Sequence, residues 1–160
     1  MAERLTFDYV FMCDPVPQQK PEFNKLSRYY ENLKAGRLTT TQCNHCGKVA
    51  WPPRTVCPEC LSDQLSFIDL PEEGEIIVVT IQEGGAFPGF PPPLAFAYLQ
   101  FGEVRFIGKL HDVDMSELGP GKKVRLKVEQ QADGRVLPAF TLVERAAQTK
   151  SEYPKDVDEN

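Results

Sequence analysis

Four cysteines fall in residues 43–60, CNHCGKVAWPPRTVCPEC, as two C-x-x-C pairs: Cys43 with Cys46 and Cys57 with Cys60. Each pair is a short turn that aims two thiolates at one point. A hairpin between the pairs can merge the two points into one tetrahedral site, most often for zinc, with Zn–S near ~2.3 Å. Such a shell leaves no open position for water or substrate, so its chemistry is structural. Iron is the other metal that the same four ligands serve. Gly47 after Cys46 suits the tight knuckle, since glycine accepts positive φ; Leu61 stands at the matching place after Cys60. His45, inside the first pair, is not needed as a ligand when four thiolates are at hand.

Disulfides are the competing use of paired cysteines, and they belong to oxidising compartments. The opening residues MAERLTFDYVFMCDP hold no apolar h-region of a signal peptide, so a reduced, cytoplasmic setting is expected. The fifth cysteine, Cys13, lies outside the pattern and reads as a reduced thiol. No apolar run approaches the ~18 residues of a membrane span.

Other chemistry is hard to find. There is no G-x-S-x-G, no H-E-x-x-H and no glycine-rich phosphate loop before a helix. The two histidines, His45 and His111, lie far apart in sequence, and the carboxylates are scattered. Two binding features stand out. The loop EGGAFPGFPPP (83–93) would present Phe87 and Phe90 on a stiff backbone. Lys123, Arg125 and Lys127 alternate with Val124, Leu126 and Val128, which puts three cations on one strand face.

These features need elements to hold them. The chain has 160 residues, of which 41% are hydrophobic, and a net charge of −5, enough for one ordinary domain or two small ones. Residues 1–20 read as an extended, proline-broken arm, and PEFNKLSRYYENLKAG (21–36) reads as a helix. Its stripe of Leu26, Tyr29, Tyr30 and Leu33 suits packing on this chain or docking on another equally. RLTTTQ (37–42) leads into the ribbon, LSFIDL leaves it, and Trp51 is expected to cover the hairpin. Five strands follow: 74–82, 94–101, 104–110, 122–130 and 137–144, with a short MSEL turn (115–118) after the third. That order describes an OB-type Greek-key barrel, the alternative being a plain five-stranded sandwich. The fold class is thus mainly β: arm and helix over 1–36, zinc ribbon over 37–70, OB-fold barrel over 71–145, and a polar tail over 146–160.

The combination of YYENLKAGRL, the two knuckles with P-P-R between them, the G-F-x-P-P loop and ELGPGKKVRLKVE resembles the DUF35 family over about residues 23–144. This is a family of rubredoxin-like zinc ribbons joined to OB folds and associated with acyl-CoA. Here a Tyr29–Tyr30 pair replaces the Phe-Trp of many members. The resemblance implies a small, non-catalytic partner of a thiolase-superfamily enzyme. Partners of that kind are seen with thiolases, with archaeal hydroxymethylglutaryl-CoA synthase, with aldolases of steroid side-chain degradation, and with the benzoylsuccinyl-CoA thiolase of anaerobic toluene degradation. The reaction centre would belong to the large subunit, and this chain would aid assembly and position CoA. On residue type alone, Lys123, Arg125 and Arg54 suit the phosphates of CoA, and Phe87 and Phe90 its pantetheine arm. The alternative is a nucleic-acid-binding module, since ribbons and OB barrels both occur there. Charge disfavours it: residues 72–145 carry eight Lys and Arg against eleven Asp and Glu.

Overall fold

The computed structural model describes residues 16–85 and 92–143. The N-terminal arm up to residue 15 with Cys13, the loop residues Phe87 and Phe90, and the tail lie outside that range.

The helix, α1 (Ser27–Lys34), is shorter than the sequence pattern predicts. Pro21 falls in a turn, where the Phe23 and Asn24 amides bond the Lys20 carbonyl. The Asn24 side chain then takes the Leu26 amide at 2.8 Å, a local bond that competes with helix initiation. The end is as expected. Gly36 sits at φ +75°, and the amides of Gly36 and Arg37 return to the carbonyls of Leu33 and Asn32, a Schellman closure. Tyr29 and Leu33 are buried in the chain's own core, with Tyr30 packed beside them, so the stripe serves internal packing.

The ribbon is a three-stranded antiparallel sheet in the order β2-β1-β3, from β1 (Thr39–Cys43), β2 (Val49–Ala50) and β3 (Leu65–Asp69). β1 holds three consecutive, fully buried threonines, which alternation would not allow in a sheet with one face in water. Each hydroxyl has a task. Thr39 accepts from Asn32 of α1 at 3.1 Å, Thr40 donates to the Ala50 carbonyl, and Thr41 accepts the Arg54 amide at 2.9 Å. Helix, hairpin and inter-knuckle loop are thereby tied to one strand.

The remaining strands are β4 (Glu73–Gln82), β5 (Leu94–Phe101), β6 (Val104–Leu110), β7 (Lys123–Gln130) and β8 (Val136–Leu142). They close into a five-stranded barrel in the order β4-β5-β6-β8-β7, with a short 3-10 turn at Met115–Glu117 after β6. This is the expected OB-type arrangement rather than an open sandwich. β4 carries a bulge between Ile76 and Val78, which bends it enough to pair with β7 at one end and β5 along the rest. Gly74 and Gly108 admit core rings: a Cβ at Gly108 would lie 2.7 Å from both Leu99 Cδ1 and Phe140 Cδ2.

Closure between β6 and β8 is parallel and brief, only Lys109 with Ala139 and Leu110 with Phe140. The Gln19 side chain binds the edge of β8 as a strand would. Its Nε2 donates to the Val136 carbonyl at 2.6 Å and its Oε1 accepts the Val136 amide at 3.0 Å. Buried Gln19 thus fastens the chain just before α1 to the barrel.

Ribbon, helix and barrel share one core. Trp51 stacks on Phe106 of β6 with centroids 4.0 Å apart and planes at 19°, and meets Tyr29 edge-on at 6.3 Å. Phe106 in turn packs on Phe101 and Phe140 inside the barrel. Trp51 therefore joins the ribbon to the barrel as well as covering the hairpin.

Candidate metal centre

Two knuckles of the same build bring the cysteines together. In the first, the Cys43 amide bonds the Lys48 carbonyl at 2.9 Å and the Gly47 amide returns to Cys43 at 2.9 Å. In the second, the Cys57 amide bonds Ser62 at 2.8 Å and the Leu61 amide returns to Cys57 at 3.1 Å. The β1–β2 pairing, Thr41 with Ala50 and Gln42 with Val49, carries the chain out of the first knuckle toward the second.

All four sulfurs lie within 4.8 Å of one another, with Cys43 to Cys60 at 3.5 Å and Cys46 to Cys57 at 3.6 Å. A tetrahedron of thiolates at the usual zinc distance has edges of about 3.8 Å, whereas a disulfide needs about 2.05 Å. The cysteines are free thiols in metal-ligand geometry. Cys43 and Cys57 are buried, Cys60 is half-buried and Cys46 is exposed. His45 lies on the exposed side of the knuckle, outside the ligand group.

Backbone amides prepare the charge. Those of Cys46 and His45 point at the Cys43 sulfur and pull that thiol down to about 6. Those of Cys60 and Glu59 lower Cys57 in the same way. The Lys48 amide favours the thiolate at Cys46 and the Ser62 amide that at Cys60, but burial and the neighbouring sulfurs prevail. Cys46 is pushed up, and Cys60 to about 12. Four negative sulfurs cannot share this space unaided. A divalent cation resolves the conflict, and the donor set, spacing and amide cradle fit structural zinc.

The residues assigned to CoA are distributed differently. Arg54 is exposed in the ribbon loop, held by its amide to Thr41. Lys123 and Arg125 lie on the barrel's outer face, as alternation predicts. Lys123 is already paired with Glu75 at 2.8 Å, and Lys127 of the same stripe with Asp112. Arg125 stands across from Glu73 in register and has no ion-pair partner among the described residues. The stripe is therefore mostly neutralised, and it lies on the barrel whereas Arg54 lies in the ribbon loop. Sequence reasoning missed Gln19 and the three buried threonines, because neither pattern has a local signature: both act over contacts fixed by the tertiary fold.

A four-thiolate ribbon braced by one helix and stacked through a tryptophan on a closed five-stranded barrel defines a metal-stapled ribbon–OB protein. Known proteins share this build. Residues 31–66 match the family described as zf-ChsH2, the ChsH2 rubredoxin-like zinc ribbon domain. A DUF35 domain-containing scaffold protein of Pyrococcus furiosus is 29% identical over 124 residues, covering 72% of this chain and 90% of the relative. The solved structure of an Ltp2-ChsH2(DUF35) aldolase superposes with a TM-score of 0.63 at 22% identity, over 72% of this chain and 92% of that one. A DUF35-family protein of unknown function from Sulfolobus solfataricus gives 0.49 at 16% identity, over 73% and 84%. The ribbon over residues 31–66 is thus similar to the ChsH2 zinc ribbon, and the chain is similar to a DUF35 scaffold protein over 72% of its length. No helix among the described residues is long and apolar enough to cross a membrane.

Proposed function

We propose that this chain is a non-catalytic accessory subunit of a thiolase-superfamily enzyme that makes or breaks carbon–carbon bonds on an acyl-CoA. One observation carries the reading: the chain pairs a closed structural metal site with the ribbon–barrel unit of a relative named as a scaffold. The aldolase with the same fold carries a ChsH2 chain in its name beside Ltp2, which supports an enzyme subunit as the partner. The chain's contribution would be assembly and positioning, with the reacting cysteine and histidines on the large subunit. Degradation of aromatic compounds in the cytoplasm is the pathway class we favour.

Direct contact with CoA is a further part of the proposal. Arg125 is the best phosphate ligand of the stripe, since its charge is not engaged by a carboxylate among the described residues; Lys123 would have to leave Glu75. Arg54 is the cation of the ribbon, and Phe87 and Phe90 are the candidates for the pantetheine arm. Affinity capture of the full chain from its native cell, with mass spectrometry, tests the assembly. A thiolase-superfamily subunit should co-purify in near-equal amount, and its absence would remove the reading. Lys123→Glu with Arg125→Glu should weaken CoA binding by the assembled complex; unchanged affinity would sink the phosphate assignment alone.

A further inference from the structure

The four sulfurs of the metal centre differ in access. Cys43 and Cys57 are buried and Cys60 is half-buried, whereas Cys46 is exposed. A groove of about 490 Å³ between the first knuckle and the β5–β6 turn opens onto Cys46, with Lys48, Glu59 and Glu103 on its walls. The sulfurs differ in hydrogen bonding too. Cys43 accepts the amides of Cys46 and His45, and Cys57 those of Cys60 and Glu59. Cys46 accepts one, from Lys48, as does the less accessible Cys60, from Ser62. Each amide draws negative charge from a sulfur and makes it a poorer nucleophile. Zinc keeps every ligand a thiolate, and access and charge single out the same one as reactive.

We propose that Cys46 is a redox modification site, the zinc ligand open to small disulfides, through which the metal is released. The Cys46 thiolate attacks one sulfur of the reagent, forms a mixed disulfide and expels the other half as a thiolate. Cys57, 3.6 Å away on the second knuckle, then attacks the Cys46 sulfur and expels the second half. Two cysteine thiolates are thereby oxidised to one disulfide, and the reagent is reduced to two thiolates, which take protons from water. Cys43 and Cys60 alone no longer close a four-ligand shell, so zinc leaves. The residues between Cys46 and Cys57 carry Trp51, whose stack on Phe106 joins ribbon to barrel, so oxidation loosens that junction. Charge sets the reagent. Lys48 is engaged with Glu59 at 3.3 Å, which leaves Glu103 and the anionic zinc–thiolate cluster to favour a neutral or cationic disulfide. The proposal stands independently of the accessory-subunit reading.

The test uses the full, zinc-loaded chain with Cys13→Ser, which leaves the four ligands as its only cysteines. Cystamine, a small cationic disulfide, is added in limiting amount. Peptide mass spectrometry maps the adducts while a chromogenic chelator reads zinc. The first adduct should fall on Cys46, and the first internal bond should join it to Cys57. One zinc should leave per chain at a rate proportional to cystamine, with Trp51 emission moving to the red. Cys46→His keeps a four-ligand shell and should slow release at least ~10-fold, because attack then falls to less accessible sulfurs. First adducts on Cys43, Cys57 or Cys60, or spread over all four, would overturn the assignment. So would release at a rate independent of cystamine, since the metal then leaves before any sulfur reacts. A bond from Cys46 to Cys43 would overturn the role of Cys57. Equal release from a zinc-bound C46H would overturn the proposal, and if C46H loses its zinc the mapping on the chain that keeps Cys46 decides.

Discussion

The stack of Trp51 on Phe106 carries a specific load, and Phe106→Leu measures it. Phe106 is buried, and its ring touches Trp51 of the ribbon and Phe101 and Phe140 of the barrel. Leucine keeps an apolar side chain but removes the ring faces. The lost Trp51 stack is worth about 0.5–1.5 kcal/mol beyond buried area. Imperfect filling of the vacated volume adds a further ~1–1.5 kcal/mol. The expected loss is therefore about 1.5–3 kcal/mol, or a Tm lowered by about 3–12 °C for a chain of this length. Trp51 is the single tryptophan, so its fluorescence reports this junction alone. In F106L its emission should shift to the red in the native state and change before the barrel's circular dichroism. A cycle with Trp51→Leu should give a coupling near ~1 kcal/mol. If the two substitutions add within ~0.5 kcal/mol and native emission does not move, ribbon and barrel are not coupled through this stack.

Zinc should bind one per chain with four thiolates. Cys43→Ala or Cys57→Ala should unfold the ribbon and abolish partner capture, because ligation supplies folding free energy of ~10 kcal/mol or more in such small units; a zinc-free variant that assembles normally would refute this. Thr40→Val leaves the Ala50 carbonyl without its buried donor and should destabilise by about 1–3 kcal/mol in chemical denaturation. Gly108→Ala forces a methyl to within 2.7 Å of Leu99 and Phe140, with an expected cost of about 1–3 kcal/mol; an unchanged Tm would mean the barrel yields there. Acid should act through carboxylates held below their ordinary range: Asp69 by the Arg37 hydrogen bond, Asp112 by that of Lys127, and Asp133 by the Arg135 amide. Their lowered values mean the stabilisation is complete above the ordinary value near ~4 and fades as pH falls through the folded one. Melting curves of the zinc-bound chain should accordingly show no pH-dependent change from these groups between pH 5 and 8, where their contribution is full and constant.

The metal centre was legible because its signal is local. Two C-x-x-C pairs at this spacing define both the ligands and the turn that holds them, and Gly36 and Gly47 mark where the backbone goes left-handed. The barrel strands were legible for the same reason, since period-two alternation survives wherever one face is buried. The helix start was not, because a turn at Lys20–Asn24 and one asparagine side chain outweigh Pro21 as an initiation signal. Nor could periodicity choose between docking and packing for the α1 stripe. That depended on whether the barrel and Trp51 offered Tyr29 and Leu33 a surface, and they do. The three threonines of β1 look solvated in sequence and are fully buried, since each hydroxyl finds a partner on a different element. Cation stripes read from alternation keep their face but not their charge: Glu75 and Asp112, distant in sequence, neutralise Lys123 and Lys127. What the sequence determined by itself was the pair of metal knuckles, the end of the helix and the alternation of the barrel strands, each written within one turn or one strand. Tertiary structure decided the rest, because partner, burial and net charge at a position depend on residues brought together from distant parts of the chain, as Gln19 and Val136 are across 117 positions.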